Sequence, residues 1–579
     1  MPILPQILLP ILLFYWTILA EFFSACFYAS LLARCQTHLL VQLADQLDFT
    51  PLDTVCAAYQ HQTGAGTCAT YPVAVLVRAL LVKVLYSLSF REMEQRLLTD
   101  LIVRWFVGLP FMGDTPDHST LARFETWVKK HHPRLYQDTV LRQIDQTFPT
   151  SHTLNQIGDT YAMRANAAEE DLARRVRHTC ECLLRAVVAT LPTVPRPAVS
   201  GFPWHELFGA PQERPAFALT QAERQPRVAT TLLAAQAFHT RWTAALAPFA
   251  RQTYPEVRRW LAYLDKILTD EVVFLAEPDE NGHRVHVRTS QERRADETTT
   301  FRLGSATDPE ATYRMHGEKP EDLTFGYNVQ VAASTDGFIR ETQAYTGATP
   351  DQVGVAPLIA AQQEHLGQVP PKLLYDQAAG TGKIRAQVTE ASDGQTQLVA
   401  KLPPYAARTP RYGPYDFILA EDGQSLTCPA GQVSTTAYAS QSGDGHTFRF
   451  FACQCWLNGA PPTQMKQADL SQRCPLWEQC RDTRQGPGSQ RQVFISAYRD
   501  EVLAAQTYNQ TETFKTEMKQ RPLIERIVFE LTNYYGARRC RGRGLQNADW
   551  QAKMAAVAYN LNLWMRKLTR LAAAQPHGA

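Results

Sequence analysis

The sequence has almost no net charge. Its 58 lysines and arginines oppose 56 aspartates and glutamates, which leaves a formal charge of +2 at pH 7. A protein that attracts nucleic acid through its overall electrostatic field is strongly basic, so the composition excludes that mode of recognition. Any contact with a polyanion must therefore come from a local basic cluster.

Cysteine is also scarce, with 12 residues in 579, which excludes a disulfide-stapled secreted scaffold. Five cysteines nevertheless fall within 428–480: Cys428, Cys453, Cys455, Cys474 and Cys480. Clustered thiolates are ligands for tetrahedral zinc, but their spacing here is not the usual C-x-x-C. The sequence leaves two interpretations open, a structural zinc site and reduced cysteines that pack a small β-rich insertion.

Long apolar runs are absent after residue 23, which excludes a polytopic membrane protein. Residues 1–20 are the exception, because they carry no charged side chain and are long enough to span a bilayer. They lack the basic start of a secretory signal and contain three prolines. We expect a hydrophobic N-terminal arm there. A membrane anchor, or residues translated from an upstream start, are the alternatives.

The hydrophobic periodicity predicts an α/β protein. Apolar residues recur at three- and four-residue spacing through 21–150, which predicts a helical N-terminal domain. The period changes near residue 155, where an α/β core that extends over 151–579 begins. Insertions split this core at about 166–300, where the pattern is helical, and at about 400–505, where it is β-rich and contains the cysteine cluster. Asp-Gly at 336–337, between two alternating runs, predicts a β-hairpin.

Three acidic residues lie within otherwise apolar elements. Asp159 lies in a predicted strand, Asp376 ends a later short strand, and Glu525 lies in a helical run four residues after Arg521. Each alone is commonly a turn former or a solvated side chain. Converging carboxylates repel one another and lose hydration, and divalent cations relieve both costs. Mg²⁺ prefers oxygen ligands, and two ions ~3.5–4 Å apart can hold the attacking and leaving oxygens of a phosphodiester.

Around these acids the sequence resembles the DDE transposases of bacterial insertion sequences. The helical region contributes TYPVAVLVRALLVKVLYSLSFREMEQRL and TPDHSTLARF, and the acidic positions lie in GDTYAMRANA, LLYDQAAGTG and RPLIERIVFEL followed by RGRGL. Residues 308–353 resemble the family's second and third strands and the start of the next helix. The step of 18 residues from Glu525 to Arg543 fits the family pattern and favours Glu525 over Glu530 as the third acid.

The resemblance implies a fold and a chemistry. The core would be an RNase H-like mixed sheet, and the protein a DNA transposase that cuts at the ends of its element and transfers the cut strands into target DNA. Asp159, Asp376 and Glu525 would hold two Mg²⁺ or Mn²⁺ ions, and Arg521 would assist catalysis. A catalytically decayed DNA-binding protein of the same fold and a hydrolytic DNA nuclease stay open as alternatives.

The resemblance also implies partners and a location. The partners would be double-stranded DNA, as terminal inverted repeats and as target, and a second copy of the chain in a homodimeric synaptic complex. The protein would act in the cytoplasm, associated with the nucleoid. Four arginines follow the third acid and would hold the DNA backbone: Arg538, Arg539, Arg541 and Arg543. Their alternative role is to favour a helix C-terminus and a solvated turn. Arg123 in the helical domain is a candidate for contacts to the terminal repeats.

Overall fold

The computed structural model describes residues 22–574 apart from several short stretches: 62–70, 112, 192–194, 211, 213, 215–217, 250–253, 281, 290–291, 293–301, 316, 318–321, 404–411, 441–443, 462–468 and 481–487. The predicted hydrophobic arm over 1–20 lies outside the described residues. Within them, no single helix combines the length and apolarity needed to cross a membrane, and one helix pair, Val73–Leu85 with Phe90–Thr99, reaches that combination only across a 109° bend.

The region before residue 150 is helical. Its helices are α1 (Phe22–Arg34), α2 (Leu39–Gln46), α3 (Thr50–Cys56), α4 (Val73–Leu85), α5 (Phe90–Thr99), α6 (Leu101–Val107), α7 (His118–His131) and α8 (Leu135–Thr147). Asp117 caps α7 by accepting a hydrogen bond from the amide of Thr120 at 2.7 Å, which satisfies an otherwise unpaired helical donor. The apolar core of these helices includes Trp550 and Val557 of the C-terminal helix, so the region is built onto the rest of the chain.

A six-stranded mixed sheet forms the centre of the protein and confirms the α/β class. Its strands are β1 (Gln156–Arg164), β4 (Thr312–Met315), β5 (Leu323–Ser334), β6 (Ile339–Thr346), β7 (Lys372–Leu374) and β8 (Gln397–Val399). The hydrogen-bonded order is β4–β5–β1–β7–β8, and β6 also pairs with β5. Strand β5 is antiparallel to β1, β4 and β6, whereas β7 is parallel to both β1 and β8.

Sequence patterns explain the sheet's turns and faces. The predicted hairpin joins β5 to β6 at Asp336-Gly337, where Gly337 takes a φ of +102° that favours glycine. On one face of β1, Ile157, Tyr161 and Met163 enter a core shared with the C-terminal helices. On the other face a Cβ at Gly158 would lie 2.4 Å from the Tyr375 ring, so only glycine fits there.

The helices that follow β6 in the chain pack around this sheet. They are α14 (Val355–Leu366), α15 (Gly382–Ala391), α17 (Arg499–Asn509), α18 (Glu512–Met518), α19 (Pro522–Tyr534) and α20 (Leu545–Ala574). The sequence predicts one helical region after Thr511, but the structure breaks it into three. Pro522 begins α19, and Gly536 and Gly544, with φ of +72° and +85°, separate α19 from α20.

The two insertions differ in construction. The first contains α9 (Leu172–Thr190), α10 (Arg196–Val199), α11 (Trp204–Phe208), α12 (Gln221–Leu246), α13 (Pro255–Glu271) and the ribbon β2 (Val272–Phe274) with β3 (Val285–Val287). The second contains β9 (Ile418–Leu419), β10 (Leu426–Thr427), β11 (Val433–Ser434), β12 (Ala437–Ala439), β13 (Gly445–Phe450), α16 (Trp477–Cys480) and β14 (Arg491–Ser496). The first insertion has an extensive apolar core of its own, and the second has a much smaller one.

Candidate active site

Asp159 lies in the middle of β1, at the centre of the sheet. Its backbone pairs with Val331 of β5, which fixes its position along the strand. The carboxylate accepts a hydrogen bond from the amide of Thr160 at 2.8 Å, and 21% of the side chain is exposed. Asp159 is therefore held rigidly but still reaches the surface.

Asp376 follows β7, the parallel neighbour of β1. Ile157 pairs with Leu374, and two further residues along each chain bring Asp376 level with Asp159. Neighbouring strands lie about 4.8 Å apart. The sequence predicts that Asp376 ends the strand, but β7 ends earlier, at Leu374, because the Asp376 carboxylate accepts a hydrogen bond from the amide of Ala378 at 3.0 Å and starts a turn. Gly380 closes that turn, where a Cβ would lie 1.9 Å from the carbonyl oxygen of Lys401.

Glu525 and Arg521 come from α19, which packs across the same face of β1. Ile524 and Ile527 are fully buried and anchor this helix against the sheet, which leaves Glu525 exposed in its first turn. Arg521 precedes the helix, and its Nη2 lies 3.6 Å from Oδ2 of Asp159. The Nε of Arg521 is buried and has no hydrogen-bond partner among the described residues.

The electrostatics of Asp159 link the three acids. Burial raises the pKa of its carboxyl above the ordinary value, and the charges of Asp376 and Glu525 raise it further. The amide of Thr160 and the Arg521 guanidinium act in the opposite direction but do not cancel the rise. Asp376 and Glu525 are therefore close enough to act on Asp159, and this set of carboxylates has Arg521 as its adjacent cation.

The donor chemistry suits a divalent cation, because all three groups are carboxylates and their mutual repulsion is relieved by positive charge. In the described part of the chain, no three His, Cys, Asp or Glu side chains lie close enough to form a ready metal-ligand group. The backbone thus brings the three acids into one neighbourhood, and the side chains do not yet point at one shared centre.

A polar network behind β1 supports the site and is not evident from the sequence. Arg314 of β4 donates to Thr160 Oγ at 2.6 Å and lies 3.3 Å from Asp351. Asn328 donates to the same Asp351 carboxylate at 2.7 Å. The sequence matches the family pattern at Asn328 and Asp351, but Arg314 carries no local signal, because only the folded sheet brings β4 beside them.

The arginine segment attaches to the end of β1. The amide of Arg164 donates to the carbonyl of Arg538 at 3.0 Å, and the amide of Cys540 donates to the carbonyl of Arg164 at 2.8 Å. Since Arg164 lies five residues beyond Asp159, this contact places the segment roughly 16 Å from the acid along the strand.

The four arginines of this segment have different environments. The guanidinium of Arg541 donates to the backbone carbonyls of Ser87 and Leu88, so it fastens the segment to the helical region. The side chains of Arg538, Arg539 and Arg543 are exposed and make no hydrogen bond or ion pair within the described chain. Three of the four predicted cations are therefore available to a ligand.

A cleft of about 860 Å³ opens between this segment and the helical region. The cationic side chains in its lining are Lys83, Lys129, Arg538, Arg539 and Arg541, against the acids Glu92 and Glu125. Lys129 lies beside Asn547 of α20, and burial lowers the pKa of its ammonium group. Arg123, on the same helix as Lys129, does not line the cleft and bonds Thr120 Oγ1 at 3.2 Å. The structure therefore does not bring Arg123 together with the arginine segment.

The cysteine cluster lies in the second insertion, away from the carboxylates. Cys428, Cys455, Cys474 and Cys480 line one small pocket. Cys453 is exposed and lies outside that lining.

Comparisons with known families agree with the resemblance described above. Residues 30–127 match a family described as Transposase domain (DUF772), and residues 461–565 match a family described as Transposase DDE domain. The second match contains Glu525, Arg521 and the arginine segment, whereas Asp159 and Asp376 lie outside both matches. No curated protein and no solved structure matches the chain.

Proposed function

We propose that this chain, which its two family matches identify as an insertion-sequence DDE transposase, cuts DNA at the ends of its element and joins those ends to target DNA. The observation that carries the proposal is the convergence of Asp159, Asp376 and Glu525 from β1, the end of β7 and α19. The three acids come from distant parts of the sequence into one neighbourhood around Asp159, and carboxylates grouped in this way suit metal-dependent phosphodiester chemistry.

We also propose that the sheet is RNase H-like. In the order β6–β5–β1–β7–β8, β5 is antiparallel to both β6 and β1, and the last two strands run parallel to β1. That order supports the proposal because it puts one acid on the central strand and another at the end of its parallel neighbour. The helix that carries the third acid then packs over both.

The chain's own residues have separate roles in this reaction. Asp159, Asp376 and Glu525 would hold Mg²⁺ or Mn²⁺, and the bound cation would supply Lewis-acid activation of water and of the scissile phosphate. The charge of Arg521 favours the ionised form of the Asp159 carboxyl, against the larger effect of burial. In the first step a water oxygen forms a bond to phosphorus as the bond to the 3′ oxygen breaks. In the second, that 3′-hydroxyl oxygen attacks a target phosphorus, and a target P–O bond breaks.

The cleft supplies a path for the DNA backbone. Arg538 and Arg539 line it and Arg543 is exposed beyond it, so phosphates that follow the segment meet three available guanidinium groups. Contacts of this type set affinity and position without reading sequence. A second copy of the chain would hold the other end of the element during synapsis.

The experiment is cleavage of labelled DNA that carries the element's own ends, with Mg²⁺ or Mn²⁺, for the full-length wild type and for Asp376→Ala. We expect the wild type to cut and then to give strand-transfer product, and the variant to bind the same DNA without cutting. Binding by both proteins without cleavage by either would instead favour a DNA-binding protein that has lost its chemistry. Cleavage without strand transfer would favour a hydrolytic nuclease.

A further inference from the structure

The second insertion has too small a core for its size. Its sheets are built from short strands, and β9, β10 and β11 have only two residues each. Six buried apolar residues form its core: Phe417, Leu426, Phe448, Phe450, Val493 and Ile495. Small units with so little buried surface usually depend on a disulfide or a metal for stability. The thiols of Cys428 and Cys480 pack directly against this core.

Four cysteines line one pocket of about 30 Å³. Cys428 follows β10, Cys455 ends a 3₁₀ turn, and Cys474 and Cys480 bracket the short helix α16. Aromatic side chains close the pocket, and Trp456 and Trp477 pack at 5.5 Å between ring centroids. Such a small space accepts a ligand of the size of a single ion.

The backbone around the pocket is arranged to support thiolates. Gly431, with a φ of +81°, turns the chain so that the amide of Gln432 donates to Sγ of Cys428 at 3.3 Å. The amide of Cys474 donates to the carbonyl of Cys455 at 3.0 Å, which ties two of the cysteine-bearing turns together. Amide donors to sulfur stabilise the charged form of the thiol, which is the form that binds metal.

A partly buried guanidinium adds positive charge at the pocket wall. Arg491 of β14 lines the pocket, and its Nε is buried without a hydrogen-bond partner in the described chain. Its Nη2 donates to the carbonyl of Tyr412 at 2.9 Å, which holds the guanidinium in place. Four thiolates around a divalent metal carry a net negative charge, and a fixed guanidinium at the pocket wall offsets that charge.

We infer that Cys428, Cys455, Cys474 and Cys480 bind one Zn²⁺ ion, which holds the second insertion together. The described residues contain no ready group of three ligands, so the four sulfurs must draw together to reach Zn–S distances of about 2.3 Å. This assignment narrows the five cysteines of the sequence cluster to four. Cys453 is not a ligand, because it is exposed and lies outside the pocket.

The test is the metal content of the full-length protein, purified under reducing conditions and without DNA. We expect one zinc per chain in the wild type and in the matched control Cys453→Ser. Cys428→Ser and Cys474→Ser should lose most of the zinc and unfold at a lower temperature. After zinc removal, added Co²⁺ should give the wild type and Cys453→Ser the thiolate-to-cobalt charge-transfer absorption and d–d bands of a tetrahedral site.

Three results would overturn the assignment. If the wild type binds neither zinc nor cobalt, the cysteines are packing residues and not metal ligands. If Cys453→Ser and Cys474→Ser lose metal equally, the residues that line the pocket are not the ones that bind it. A Cys455–Cys480 disulfide, found by mass spectrometry of the protein as purified, would also exclude the four-thiolate site. The wild-type cobalt titration decides the question even if a serine variant fails to fold. Because no DNA is present, the outcome is independent of the proposed function.

Discussion

The carboxylate site and the cysteine pocket gather metal-binding side chains in opposite ways. The three acids lie around the central strand of a six-stranded sheet, and Glu525 is exposed. The four cysteines line a small pocket walled by aromatic rings, among strands of two residues. An open oxygen site leaves room for water and phosphate, whereas a closed sulfur site leaves none. In the roles proposed above, the carboxylate site would perform chemistry on a stable scaffold, and the cysteine pocket would supply stability to a weak one.

Replacing the third acid should give the largest effect and should leave the fold intact. Glu525 is exposed and makes no hydrogen bond in the described chain, so Glu525→Gln would remove the proposed metal ligand without disturbing packing. We expect DNA cleavage to fall roughly 10³-fold with little change in melting temperature. The matched control is Glu530→Gln, since Glu530 lies on the same helix as Glu525 and its carboxylate lies 3.7 Å from the guanidinium of Arg566 on α20. Equal loss in both variants would remove Glu525 from the site.

Arg521 should affect the pH dependence as well as the rate. Its guanidinium lies 3.6 Å from Asp159 and lowers the pKa of that carboxyl, against the larger effect of burial. Arg521→Ala should therefore slow cleavage about 10- to 100-fold and move the acidic limb of the pH–rate profile to higher pH. Arg521→Lys should restore part of both. An unchanged pH profile in Arg521→Ala would show that this arginine does not act through Asp159.

The arginine segment also contains both an exposed side chain that is available to a ligand and a side chain that is bonded within the fold. The Arg543 side chain is exposed and makes no hydrogen bond or ion pair within the described chain, whereas the guanidinium of Arg541 donates to the carbonyls of Ser87 and Leu88. Arg543→Ala should weaken DNA binding and reduce the slope of log affinity against log salt by about 1, with an unchanged melting temperature. Arg541→Ala should lower the melting temperature instead. The reverse pattern, measured by DNA titration and calorimetry, would reassign the two residues.

The smallest effect concerns stability. Because burial raises the folded-state pKa of Asp159 above its unfolded value, its ionised form opposes folding at neutral pH. The stability that the protonated group contributes is present below the unfolded pKa and is lost as pH rises through the folded pKa. Asp159→Asn should thus stabilise the metal-free protein by about 1 kcal/mol at pH 7. The gain should shrink at lower pH and when Mg²⁺ stabilises the wild type. A destabilised variant at pH 7 would contradict this account.

Local sequence patterns predict most of the features that belong to a single helix, strand or turn. The change of period at Asp159, the Asp-Gly hairpin and the helical run that contains Glu525 follow from hydrophobic periodicity and turn chemistry. The identities of the three acids followed from the family resemblance. What the patterns miss depends on contacts across the fold, such as Arg314 beside Asp351 and Arg541 on the carbonyls of residues 87 and 88. The separation of Cys453 from the other four cysteines also requires the folded insertion, because spacing alone treats all five alike.

The most direct test of the central claim is to map the cation by iron-mediated backbone cleavage. Fe²⁺ substitutes for Mg²⁺ at the carboxylates, and ascorbate with peroxide then generates hydroxyl radicals that cut the nearby chain. If Asp159, Asp376 and Glu525 share one site, the wild type should be cut near all three positions. Asp376→Ala should lose all three cuts together, and excess Mg²⁺ should suppress them. Cutting at only one of these positions, or cuts that survive in Asp376→Ala, would contradict a shared site.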